Sequence, residues 1–340
     1  MTEQKARIGI NGFGRIGRLV LRAILSDQYP NLDVVVINSR SSDPEIVKHM
    51  FMYDSTYGVF NQKIDITDDG LKIDDSCLSL ISYPTPDLIP WEKYGVDIVL
   101  ECTGKFTDHK NNNAHISNGA QKVIISAPGK QEDITIVMGV NENDYDPVKH
   151  NIISNASCTT NCLAPLVKVI NDSFGISEGM MTTIHAYTND QQILDKSHKD
   201  LRRARAAATN IIPTSTGAAK SIGKVIPSLE GKIHGMAFRV PTPTVSVTDF
   251  VANIQSNADS TDINNAYKEA SISHMKNILD ISMEPLVSSD YKQNPYSCVI
   301  DGLSTMSLGK NMIKVVGWYD NEWGYALRTA DLAEYVYTQK

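Results

Sequence analysis

The run Gly12-Phe13-Gly14-Arg15-Ile16-Gly17 constrains this chain more than any other feature. It stands between a short apolar stretch, residues 7–11, and a segment with helical periodicity, residues 15–26. The next apolar run, residues 32–38, is continuous, as in a strand covered on both faces. Strand, helix and strand within about 35 residues make a βαβ unit. Three glycines at its first turn suit a dinucleotide. The first permits the turn, the second lets backbone approach the pyrophosphate, and the third lets helix and strand pack closely. Arg15 and Ile16 would offer backbone N–H groups at the helix start, where an anion is favoured. Alone, the motif reads equally as a tight turn; its place in the βαβ unit selects the ligand.

Such a unit usually carries a carboxylate at the end of its second strand, for the ribose 2′-hydroxyl. Here that strand ends Ile37-Asn38-Ser39-Arg40, with none at that point. Asp43, followed by Pro44, reads instead as the N-cap of the next helix. A serine hydroxyl and an arginine suit a 2′-phosphate, so Ser39 and Arg40 point to NADP rather than NAD. The competing reading is a solvated arginine with no ligand.

Further strand candidates at 96–102, 122–126, 135–139 and 151–154 alternate with helical or turn segments. This predicts an α/β fold with a doubly wound parallel sheet. After about residue 155 the candidates at 180–185, 233–240, 244–254, 297–300 and 312–319 are longer, and several alternate in polarity. They predict a second, α+β domain with a mostly antiparallel sheet covered by helices on one face. Residues 322–337 read as an amphipathic helix. A length of 340 residues with 41% hydrophobic content suits two domains.

The formal net charge of -7 argues against general binding to nucleic acid or anionic membrane. Five cysteines, odd in number and widely spaced, resemble no disulfide framework. Reduced thiols, no apolar run near the ~18 residues of a membrane span, and no signal-like start place the expected location in the cytoplasm.

Cys158 falls where the strand candidate at 151–154 gives way to a helix running to about residue 171. A helix start favours the thiolate, the reactive form of cysteine. Cys162 lies one turn deeper. The CxxxC spacing has no matching second pair, so no metal site is expected. His185 ends the strand candidate at 180–185. It could serve as base to a cysteine, though sequence alone does not bring the two together. His198 reads as an exposed loop residue. Leu201-Arg202-Arg203-Ala204-Arg205 is a compact basic cluster, read as contacting a phosphorylated small substrate or, less simply, nucleic acid. Pro213-Thr214-Ser215-Thr216-Gly217 is a hydroxyl-rich turn opening a helix, a natural phosphate cradle. Arg239 could add a further cation.

The segments INGFGRIGR (10–18), SNASCTTNCLAP (154–165), TTIHAYTNDQ (182–191), KDLRRARAAATNIIPTSTGAAK (199–220), RVPTP (239–243) and WYDNEWGY (318–325) together resemble the glyceraldehyde-3-phosphate dehydrogenases over nearly the whole chain. The resemblance implies a Rossmann-type NAD(P)-binding domain, residues 1–156 and 320–340, and a catalytic domain, residues 157–319. It implies a phosphorylating oxidation of glyceraldehyde 3-phosphate through a Cys158 thioester activated by His185, usually in a homotetramer. Thr188 and Arg239 match a set holding the substrate's phosphate. Ser157, Thr159, Arg203, Thr216 and Gly217 match a set around inorganic phosphate. Asn321 and Ser126 match contacts on the nicotinamide side. Two departures bear on the cofactor. NAD-using members carry Asp at Ser39 with an apolar residue at Arg40, and Leu-Pro at Lys196-Ser197; NADP-using members resemble this chain in having serine there. Two alternatives remain: an erythrose-4-phosphate dehydrogenase, and a non-catalytic RNA-binding protein on the same fold.

Overall fold

The computed structural model describes residues 5–26 and 28–339. The continuous apolar run becomes the strand Leu32–Asn38, almost wholly buried, and the glycine-bearing segment joins strand Ala6–Asn11 to helix Arg15–Ile24. The chain divides into two compact units. The first takes Met1–Ile136, Asn143–Ala156 and Ala326–Lys340; the second takes Val137–Glu142 and Ser157–Tyr325.

In the first unit seven strands lie parallel, in the order Ile134–Thr135, Ile152–Ser154, Lys122–Ile125, Ile98–Glu101, Ala6–Asn11, Leu32–Asn38, Ser76–Ile81. Two further strands, Gly70–Ile73 and Ile64–Thr67, continue the sheet antiparallel. The parallel expectation holds for the strands that bear the glycine turn. The antiparallel edge is additional; Asp-Gly at 69–70 between two β-prone runs was its signal. The strand expected at 135–139 shrinks to Ile134–Thr135, because Val137 N–H turns to the side chain of Asn141 and Gly139 takes φ +81°. The C-terminal helix Trp323–Thr338 joins this unit from Ala326 onward. Asn155 Nδ2 donates to Thr329 Oγ1 at 3.1 Å, and Tyr29 Oη to Asp331 at 2.8 Å.

The second unit is built on an eight-stranded sheet. Its order is Ile212–Ser215, Ile233–Val240, Ile176–Ala186, Ser246–Ile254, Met312–Tyr319, Cys298–Asp301, Leu279–Ser282, with Met306–Leu308 also paired to Met312–Tyr319. Most pairings are antiparallel; Ile176–Ala186 with Ile233–Val240 is parallel, as is Leu279–Ser282 with Cys298–Asp301. Helix Cys158–Phe174 packs on one face so closely that a Cβ on Gly317 would come within 3.0 Å of Leu166. Residues 320–325, expected on the first domain, group with this unit. Asp320 accepts from Thr244 Oγ1 and Gln293 N, and Asn321 Oδ1 accepts from Ser246 Oγ. Among the described residues, no helix is long and apolar enough to cross a membrane.

Candidate active site

A turn delivers Cys158 to the start of its helix. Strand Ile152–Ser154 ends, Ala156 takes φ +55°, and the helix begins at Cys158 with Ser157 as N-cap. A left-handed alanine costs roughly 1–2 kcal/mol, so the surrounding structure must impose it. Ser157 Oγ accepts from Thr160 N–H at 3.0 Å, satisfying one free donor of the first turn.

The sheet register supplies the partners of the sulfur. In the parallel pair Ile176–Ala186 and Ile233–Val240, His185 stands opposite Arg239. His185 Nε2 lies 3.5 Å from Cys158 Sγ, so the structure brings together the two residues that sequence left apart. The other ring nitrogen, Nδ1, lies 2.7 Å from the Ala186 carbonyl oxygen, and Arg239 Nη1 lies 2.9 Å from the same nitrogen. A carbonyl oxygen only accepts, so the short contact to Ala186 requires the proton on Nδ1, and the Arg239 N–H is directed to the same carbonyl rather than to the ring nitrogen. That leaves the lone pair of Nε2 facing the sulfur, the tautomer a base requires. Arg239 itself donates to the Ala186 carbonyl at 3.0 Å and to Thr188 Oγ1 at 3.4 Å.

Burial pushes the Cys158 thiol up, while the Arg239 cation and hydrogen bonds from Thr159 pull it down. Burial also lowers His185 to about 3, with Arg239 acting in the same direction. The imidazole is therefore neutral at physiological pH. A helix start favours the thiolate, but burial outweighs that pull here. A neutral His185 at this distance can receive a proton from the sulfur.

Tyr319, which the sequence reading passed over, closes the inner side. Its hydroxyl lies 3.0 Å from Thr159 Oγ1 and 2.9 Å from Thr183 Oγ1, and its ring stands edge-on to His185, centroids 6.0 Å apart. The alternation along Met312–Tyr319, which turns Tyr319 inward, was the signal for it.

The cation set is uneven. Arg239 Nε is buried with no partner among the described residues, an orphan donor that suits an anion. Arg203 is instead already engaged. Its guanidinium meets Asp190, donates to Thr214 Oγ1 at 2.9 Å and to the Ser215 carbonyl at 3.2 Å, and lies 3.6 Å from Asp200. Arg205 pairs with Asp195, while Arg202 is exposed. His198, expected exposed, is tucked against Asp190 and the Asp200 backbone. Thr216 Oγ1 accepts from Ala218 N–H, and Gly217 is exposed at the start of helix Ala218–Val225. Ser197 is exposed on the irregular segment between strands Ile176–Ala186 and Ile212–Ser215.

In the first unit the three glycines behave as their spacing suggested. Gly12 has φ +96°, and a Cβ there would meet Thr103 N at 2.7 Å. A Cβ on Gly17 would meet the Gly12 carbonyl at 2.2 Å. At Gly14, the N-cap of helix Arg15–Ile24, a Cβ would meet nothing within 4 Å: the turn is open where a pyrophosphate would approach. The Arg15 side chain is held by Asp54 at 2.5 Å. Asp43 caps helix Pro44–Met52 as expected, accepting from Glu45 N–H at 3.0 Å. Ser39 is half-buried, with its hydroxyl donated to the Ser41 carbonyl at 2.6 Å, and Arg40 is exposed. Ser126 N–H bonds to the Glu101 carbonyl at the end of its strand.

Residues 157–321 match the glyceraldehyde 3-phosphate dehydrogenase C-terminal domain, and residues 6–109 match the NAD binding domain of the same enzyme. The chain is 54% identical over 330 residues to a glyceraldehyde-3-phosphate dehydrogenase of Priestia megaterium, covering 97% of this chain and 98% of that protein. The chain belongs to the glyceraldehyde-3-phosphate dehydrogenase family. It is 52% identical over 330 residues to the family member of Geobacillus stearothermophilus (97% and 98% covered), and 51% over 333 residues to glyceraldehyde-3-phosphate dehydrogenase 2 of Bacillus subtilis (98% and 97%). Like the family, it is an NAD(P)-dependent oxidoreductase with a Rossmann-type first sheet.

Proposed function

We propose that this chain oxidises glyceraldehyde 3-phosphate with inorganic phosphate to 1,3-bisphosphoglycerate, reversibly, and that it prefers NADP. The observation that carries the reaction is Cys158 Sγ 3.5 Å from His185 Nε2, beside a half-buried arginine whose buried Nε has no partner among the described residues. The first unit, with the C-terminal helix, serves as the cofactor domain and the second as the catalytic domain.

The Cys158 sulfur adds to the aldehyde carbon, and the thiol proton passes to His185. The Cys158 backbone N–H at the helix start is the candidate donor to the resulting oxyanion. A bound nicotinamide would supply the hydride acceptor, and on the family pattern Ser126 and Asn321 would each contact it. His185 returns the thiol proton to the oxyanion, and as hydride leaves, the now neutral ring takes the hydroxyl proton back, leaving a thioester on Cys158. Phosphate oxygen then attacks the thioester carbon, the C–S bond breaks, and the thiol is regenerated. Arg239 and Thr188 hold the substrate's own phosphate. Ser157, Thr159, Arg203, Thr216 and Gly217 position the incoming one, an effect of orientation more than of charge alone.

The exposed Arg40 beside Ser39, with Asp43 committed to its cap, supports NADP. Ser197 supports the same choice. The chain works as a homo-oligomer, on the family pattern a tetramer. Phe238, Ile184, Val247 and Trp318 stand in one row across four strands of the second sheet, all only partly buried, and Ile193, Leu194 and Leu201 are exposed on the segment that carries Ser197. Its five free cysteines suit a reducing cytoplasm.

Steady-state rates on glyceraldehyde 3-phosphate, with NAD and NADP at equal concentration and with phosphate present or omitted, test both parts. Turnover that does not need phosphate sinks the phosphorylating assignment. A large preference for NAD sinks the reading of Ser39, Arg40 and Ser197 while leaving the chemistry standing.

A further inference from the structure

Three neighbouring parallel strands of the first sheet each end on a buried polar residue: Glu101, Asn11 and Asn38. Asn11 pairs in register with both others, so the three side by side form a polar rail along the carboxyl edge of the sheet. The ligand crevice of such a sheet lies just outside that edge. The rail continues past Glu101 to His115 and Trp91, both fully buried.

The donor polarity of the rail is fixed from its two ends. At one end, Tyr83 N–H donates to Asn38 Oδ1 at 2.8 Å, and Asn38 Nδ2 donates to the Tyr83 carbonyl at 3.1 Å. Backbone thus sets the Asn38 amide. Its Nδ2 donates to Asn11 Oδ1 at 2.8 Å, which sets the Asn11 amide and aims Asn11 Nδ2 at Glu101 Oε2, 2.5 Å away. At the other end, Trp91 Nε1–H can only donate, and it meets His115 Nδ1 at 2.8 Å. The His115 proton therefore sits on Nε2, 3.3 Å from the same Glu101 oxygen. Glu101 Oε1 receives Thr103 N–H at 2.8 Å and the Thr103 hydroxyl. Donors converge on Glu101 from every side, and a carboxylate answers them all.

Two of these donors belong to the walls of the glycine turn. Asn11 precedes Gly12, and Thr103 N is the atom that a Cβ on Gly12 would strike. We propose that Glu101 is a positioning residue for the dinucleotide: it ties Asn11 and Thr103 together and so sets the Gly12 turn against the end of strand Ile98–Glu101. This rests on the dinucleotide site of the family and not on the choice between NAD and NADP.

Glu101→Gln keeps the shape. Either placement of its amide nitrogen, however, sets a donor against a fixed donor, Thr103 N–H on one side and Asn11 Nδ2 with His115 Nε2 on the other. Thr103→Val removes the hydroxyl donor alone and is the milder variant should Glu101→Gln not fold. Dissociation constants for NAD and NADP by fluorescence titration of the whole enzyme are the main readout. The rate of Cys158 alkylation by iodoacetamide without cofactor reports on the second unit. In Glu101→Gln both constants should rise roughly tenfold, and by a smaller factor in Thr103→Val, the size a buried charge-assisted hydrogen bond can shift an equilibrium. The alkylation rate should stay near that of the parent. Parent-like dissociation constants in either folded variant overturn the proposal, as does a parallel loss of alkylation rate, which marks a general structural defect. A parent enzyme that binds neither dinucleotide refutes the underlying cofactor reading instead.

Discussion

The Cys158–His185–Arg239 group and the Ser39–Arg40 pair sit in contrasting surroundings. The first is mounted on a helix start and two registered strands, and the histidine ring is held by a backbone carbonyl. The second lies just past a strand end, with one residue half-buried and the other exposed. Bond-making chemistry needs atoms fixed to a fraction of an ångström, and only buried regular structure supplies that. Cofactor choice needs a charge within reach of a phosphate, which a surface residue can provide. The contrast implies that catalysis fails abruptly on substitution, whereas specificity shifts by degrees.

The largest expected effect tests the rigid side. Cys158→Ala should lower aldehyde oxidation by at least about a thousandfold, since the acyl carrier is gone. His185→Asn should lower the first-turnover burst of reduced cofactor by about 10² to 10⁴-fold, the usual contribution of a positioned base. Retained turnover in Cys158→Ala would end the covalent assignment. A full burst in His185→Asn would show that the thiol loses its proton without help. Arg239 pulls both groups down. Its replacement by Leu should therefore move the Cys158 alkylation profile to higher pH, because losing a neighbouring cation disfavours the thiolate.

A smaller effect tests the soft side. Ser39→Asp with Arg40→Leu restores the NAD-type pattern. The ratio of kcat/KM for NADP to that for NAD should fall by about ten- to a hundredfold, the range of a lost charge-assisted phosphate contact. An unchanged ratio would place the selectivity elsewhere, with Ser197 the next residue to vary.

What sequence made legible follows the same division. Periodicity and glycine spacing located the βαβ unit, the strand Ile233–Val240 and the helix start at Cys158, because those signals are local. The pairing of Cys158 with His185 was not local: it depends on the register that sets His185 beside Arg239, across 54 positions of chain. Tyr319 was missed for the same reason, its partners Thr159 and Thr183 lying on other elements. Burial also reversed the expected drift of the thiol, since a helix start announces itself in sequence and the atoms packed around it do not. Two arginines of the basic cluster, Arg203 and Arg205, are compensated by Asp190 and Asp195, which the folded loop brings to them from earlier in the chain.

That compensation gives the smallest expected effect, and it lies between the two extremes of the comparison. Arg203 is mostly shielded from solvent, but its partner Asp190 is half-exposed. An exposed carboxylate holds an arginine by about 1 kcal/mol or less. Inorganic phosphate, which this arginine is proposed to position, must therefore compete with Asp190 for the guanidinium. Asp190→Asn removes the competing charge and leaves Thr214 and Asp200 to keep the side chain in place. The KM for phosphate should fall by roughly two- to threefold, within what such a weak pair can contribute, while the KM for the aldehyde stays put. A rise in the phosphate KM would show that Asp190 orients Arg203 instead of competing for it, and would move the loop to the rigid side of the comparison.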